Sequence, residues 1–144
     1  TLRASPNHHR ALISLMRLAK RTNAVKLPNM PHPVECYFER AIRFNSKDHI
    51  VRMLYSQYLI EHARSADATA QLEYIAKNAD DNPFTIYNIG LLYFDLKDYA
   101  RAQQHAKKAF ALGFPGTGLR EMLQKAGQWQ ETGPSAPAAS APGQ

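Results

Sequence analysis

Chemistry in this chain would have to come from six histidines, one cysteine and a few serines, and the spacing of these residues argues against each use. Two imidazoles four residues apart on one helix would make a bidentate metal site. No pair among His8, His9, His32, His49, His62 and His105 has that spacing, and the neighbours His8 and His9 diverge around a helix, so the histidines are expected to be solvated. Cys36 is the single cysteine, which excludes an intramolecular disulfide and a cysteine-ligated metal. Its apolar neighbours Tyr37, Phe38 and Ala41 predict a buried, inert thiol. Nucleophilic catalysis needs a Ser or Cys beside a base and an orienting acid. Ser14, Ser46, Ser56 and Ser65 have no glycine-rich elbow around them, and Gly116-Thr117-Gly118 lacks the lysine and the strand of a phosphate loop. Asp80-Asp81 leads into Pro83 and reads as turn and cap. The chain is therefore expected not to be an enzyme and to hold neither metal nor cofactor.

The elements that position these residues are helical. Ser5-Pro6 followed by Asn7 to Arg21 predicts a capped first helix with Leu12, Leu15, Met16 and Ala19 as its apolar stripe. Residues 23 to 33 hold Pro28, Pro31 and Pro33 without a period and predict a loop; Val34 to Phe44 then form a second helix, closed by Asn45-Ser46. From Asp48 the pattern predicts helices at about 49–62, 66–79, 84–95 and 99–111, with breaks short enough to force antiparallel neighbours. Gly113-Phe114-Pro115-Gly116 stops the last of these, and Leu119, Met122, Leu123 and Ala126 predict a short closing helix. Beyond it, residues 133–144 are only Gly, Pro, Ser, Ala and Gln, and a disordered tail is expected over 129–144.

Apolar residues make up 44% of the chain, enough for one core of this size. No run approaches the roughly 18 apolar residues that a membrane-spanning helix needs. The chain begins on Thr1 and shows no signal peptide, which suggests a fragment or processed product. Charge is uneven: residues 1–47 hold nine Lys or Arg against Glu35 and Glu39, a net +7, and the remainder is close to neutral. Arg10, Arg17, Lys20 and Arg21 form the basic stripe that an acidic partner or anionic lipid would meet first, with Leu12, Leu15 and Met16 beneath in the lipid case. No aromatic residue is interleaved with the stripe, so nucleic acid is disfavoured.

A repeat of 34 residues organises the helices: Val34, Ala68 and Ala102 recur, as do Phe38, Leu72 and Ala106, and Ala41, Ile75 and Ala109. Tyr55 pairs with Ile89, Ser56 with Gly90, and Leu59 with Tyr93. Two helices per unit at this period predict an all-α array of helical hairpins, about seven helices in all. Residues 83–116 resemble a tetratricopeptide repeat, through Ile86, Ile89-Gly90, Tyr93, Lys97-Asp98-Tyr99-Ala100-Arg101-Ala102, Ala106, Ala109 and Pro115. Residues 49–82 follow less faithfully, with Ser56 for the glycine and Arg52 where an apolar residue is expected, and 34–48 form a partial unit. The domain would span 5–128, with 117–128 as its cap.

That resemblance implies a concave groove lined by the first helix of each unit and taking a segment of a partner protein. Its lining here would be Phe84, Tyr87, Leu91 and Phe94 with Asn88 beside them, then Met53 and Gln57, along with Ile50 and Ile60. The carboxylate clamp of some family members is incomplete, since only Asn88 matches. The expected function is a non-enzymatic adaptor or scaffold. Its expected partner is another protein or a second copy of the chain, unless the groove is covered as core. The alternative is a membrane-proximal assembly factor of a bacterial envelope complex acting through the basic helix, which would place the chain in the cell envelope.

Overall fold

The computed structural model describes residues 1–131; the rest of the expected tail, 132–144, lies outside the described residues. Among the described residues there are seven α-helices and no strand: α1 (His9–Thr22), α2 (Val34–Phe44), α3 (His49–Glu61), α4 (Ser65–Asn78), α5 (Pro83–Asp95), α6 (Tyr99–Ala111) and α7 (Gly118–Lys125). They fall into two compact units, the first Thr1–Asp80 with α1 to α4 and the second from Asp81 with α5 to α7. The division lies close to the repeat boundary expected between 82 and 83.

In the first unit α3 packs along α4, and α2 rests against both α1 and α3; in the second, α5 packs along α6 and both touch α7. The residues that recur at the repeat spacing explain this. Val34, Phe38 and Ala41 on α2, Ala68, Leu72 and Ile75 on α4, and Ala102, Ala106 and Ala109 on α6 are all buried. So are Tyr55, Ser56 and Leu59 on α3 and their counterparts Ile89, Gly90 and Tyr93 on α5.

The two hairpins also turn alike. Ala63 and Lys97, related by the same repeat, are both left-handed (φ 58° and 63°). Behind them the N–H of Arg64 donates to the Leu59 carbonyl and that of Asp98 to the Tyr93 carbonyl, at 2.9 and 3.0 Å. This closure satisfies the last carbonyls of α3 and α5, and neither turn uses the glycine that usually adopts it.

Several local readings change. α1 begins at His9 because His8, and not Ser5, supplies the cap: its Nδ1 accepts from the Ala11 N–H at 3.2 Å. The proline-rich loop is anchored by Leu27, which is buried, and by the Val34 N–H donating to the Val25 carbonyl. Arg52, out of place in the repeat pattern, is nonetheless buried. Its Nε donates to the Ser46 carbonyl, its Nη1 to Gln71 Oε1 at 2.7 Å, and its guanidinium covers the Tyr74 ring at 3.7 Å. A buried cation is tolerable when its donors and its flat face are both occupied.

Candidate partner-binding groove

Two clamps align α1 with α3. At their starts, Asp48 caps α3 by accepting from the Val51 N–H, and the same carboxylate accepts from Asn7 Nδ2 (3.1 Å) and meets His9 Nε2 (2.8 Å). At their ends, Lys20 pairs with Glu61 at 3.0 Å. The two helices therefore run parallel, as first helices of successive hairpins do. Burial alone would push the Asp48 carboxyl up, but the hydrogen bonds from His9, Val51 and Asn7 hold it below the ordinary carboxylate range.

Between these clamps lies a groove of about 390 Å³ with Ile13, Met16 and Leu54 as its apolar floor and Arg17, Lys20, Gln57 and Glu61 at its rim. The α1 residues recur at one helical face, and so do Leu54, Gln57 and Glu61 on α3. Of the expected lining, Gln57 is here and exposed; Met53 is half-buried outside it, and Ile50 and Ile60 do not line it either. The register differs because α3 is apolar on most of its circumference, so periodicity alone does not select the face that opens.

The expected basic stripe is exposed, and two of its members, Arg17 and Lys20, edge the groove while Arg10 and Arg21 lie elsewhere on α1. Leu12, Leu15 and Met16 are buried in the first unit's own core, which corrects the lipid geometry: they are not free to sit beneath the cations in a bilayer.

The expected stripe on α5 is engaged within its own unit and is not one open face. Phe114, from the α6–α7 connection, stacks on Tyr87 at 3.9 Å and meets Phe84 edge-on at 5.3 Å. The Tyr87 hydroxyl accepts from the Leu119 N–H at 2.9 Å, satisfying one of the donors that open α7, where no side chain caps. Phe94 packs edge-on against Tyr99 across the α5–α6 turn, Leu91 is half-buried, and Phe84 and Asn88 keep exposed surface. Tyr87 thus positions α7. Tyr87→Phe is expected to cost about 1 kcal/mol of the second unit's stability, the net value of one hydrogen bond, read by urea denaturation. An unchanged midpoint would mean that water replaces the hydroxyl.

The groups weighed for chemistry are dispersed. Among the described residues no three of His, Cys, Asp and Glu come together as a metal site. Cys36 is half-buried and not fully enclosed as expected. The Ser56 hydroxyl is buried and donates to the Arg52 carbonyl. Several histidines are engaged and not freely solvated: His8 caps α1, His9 meets Asp48, and the Nδ1 of His49 is buried. His62 stacks on Tyr58 at 4.1 Å, and His105 packs on Tyr93, where burial pushes its imidazole below the ordinary histidine range.

A second polar cluster ties three helices of the first unit together. Glu35 on α2 accepts from the Tyr55 hydroxyl (2.6 Å) and from Arg64 at the start of α4, which also pairs with Asp67. Burial opposes ionisation of the Glu35 carboxyl, yet these two donors bring it below the ordinary range. Burial, and then the Glu35 carboxylate, push the Tyr55 phenol up, so it remains a donor. Comparison of the chain with family models, curated proteins and solved structures yields no match.

Proposed function

We propose that the chain is a tetratricopeptide-type interaction adaptor that binds a segment of a partner protein in the groove between α1 and α3. The supporting observation is the groove itself: two parallel first helices joined by clamps at both ends, with an apolar floor under a mixed polar rim. Such a surface takes apolar anchors of a helix or extended segment, and Arg17, Gln57 and Glu61 supply hydrogen bonds that fix its register. Binding of this kind is equilibrium recognition and needs no reactive group. It also gives the N-terminal basic surface a role at the groove's edge, in drawing an acidic partner toward the site.

A photo-crosslinking residue placed at Gln57 tests this in the native cell extract. The expected result is an adduct with a defined protein, absent when the same group replaces Lys77 on the exposed side of α4. Arg17→Ala with Gln57→Ala should weaken capture about tenfold, since both sit at the rim. Equal adducts from the two positions, or none from either, would remove the groove as the binding site.

A further inference from the structure

The last described residues, Trp129 to Glu131, expected at the start of a disordered tail, lie against α6 and α7 and are held there as a bound peptide would be. Gln103 and Lys107, one turn apart on α6, grip both backbone polar groups of Gln130. Its N–H donates to Gln103 Oε1 and its carbonyl accepts from Lys107 Nζ, each at 2.6 Å. The side chains on either side of that peptide unit are also engaged. The Trp129 ring lies 5.2 Å from Lys107 Nζ and 5.3 Å from the Arg120 guanidinium, and Glu131 pairs with Arg120 at 2.8 Å. A gripped peptide unit gives binding independent of sequence; an aromatic ring among cations and a carboxylate on arginine give selectivity.

The segment fills its site incompletely. A cavity of about 250 Å³ remains beside it, between Tyr87, Phe110, Thr117, Arg120 and Trp129. Phe110 is 67% exposed, and the buried Trp129 Nε1–H has no acceptor among the described residues. A buried donor without a partner is a penalty that a better-matched segment need not carry. Gly127 joins the segment to α7 in a left-handed conformation (φ 69°) with open space around it, so the segment can leave without disturbing the helix.

We propose that this α6–α7 surface is a recognition site for an extended segment of another protein carrying an aromatic residue followed two positions later by a carboxylate, with Trp129-Gln130-Glu131 as a displaceable strap in cis. The proposal concerns the second unit alone and does not rest on the α1–α3 groove. The tether gives the strap an effective concentration in the millimolar range, so the closed chain binds an outside segment weakly until that segment matches the site better.

The test uses the full chain and a labelled peptide with the sequence of residues 126–133. A variant with Trp129→Ala, Gln130→Pro and Glu131→Ala opens the site; it should bind the peptide at least about tenfold more tightly than the unaltered chain by fluorescence anisotropy. Adding Lys107→Ala should abolish that gain. Trp129 is the only tryptophan, so the unaltered chain supplies a second readout that needs no variant. Excess peptide with Phe in place of Trp should red-shift its emission as the strap is displaced. Absence of both the binding gain and the red shift would overturn the proposal, as would a gain indifferent to Lys107→Ala. A concentration-dependent dimer that requires Trp129 would make a second copy the occupant and overturn the assignment to another protein.

Discussion

Phe38→Ala is expected to remove about 3–5 kcal/mol from the first unit, the usual cost of emptying a buried phenylalanine site that cannot collapse. Phe38 has no exposed surface, and its ring lies 5.5 Å from Tyr55 and 5.6 Å from Tyr58. Both tyrosines belong to α3, so the ring on α2 packs the two helices together. Neither tyrosine can swing into the vacated space freely: Tyr55 is tied through its hydroxyl to Glu35, and Tyr58 is stacked on His62. A domain of about 80 residues has only roughly 4–12 kcal/mol to lose, so this substitution takes the first unit close to unfolding. Urea denaturation followed by far-UV circular dichroism gives the loss. Trp129 reports from the second unit, so a fluorescence midpoint that stays put while the dichroism midpoint falls would localise the damage. A loss below about 1 kcal/mol would show that the α2–α3 contact relaxes around the cavity.

Gly90→Leu should cost the second unit about 1–3 kcal/mol through overpacking. Even a Cβ at this position would lie 2.7 Å from Leu119 Cδ2, 3.1 Å from His105 Cβ and 3.4 Å from the Ala102 carbonyl oxygen. Leu119 is itself fully buried, which leaves its side chain little room to rotate away, and the other two neighbours are fixed to α6. Gly90→Ala separates two opposing effects. Alanine gains about 1 kcal/mol of helix propensity over glycine, and the tight contact with Leu119 offsets it. The expected order of urea midpoints is therefore unaltered chain and Gly90→Ala close together, with Gly90→Leu well below. If Gly90→Leu melted with the unaltered chain, the α5–α6–α7 crossing would have to be looser than its distances imply.

The recurrence of small and apolar residues by itself determined the helical hairpins, because those residues are the ones each helix must bury against its partner. Helix α2 and the start of α6 fall where the pattern puts them, and every position in the recurrent sets is buried. The left-handed turns at Ala63 and Lys97 were illegible, since neither residue type favours that conformation; the turn is imposed by the close packing on either side of it. The opening face of α3 was undecidable for a different reason: with apolar residues nearly all round, only the position of α1, set by the Asp48 and Lys20 clamps, chooses Leu54, Gln57 and Glu61 as the groove side. Tyr87 and Phe84 read as a free aromatic stripe because Phe114, which packs against both, follows a glycine stop and belongs to no periodic pattern. Trp129 was lost in the expected tail and recovered by Lys107 and Gln103 on α6, distant in sequence, together with Arg120 on α7. Periodicity records what a helix buries against its sequence neighbours; which remaining face is open, and what folds back over it, depends on contacts between residues far apart in the chain, and those only the tertiary structure decides.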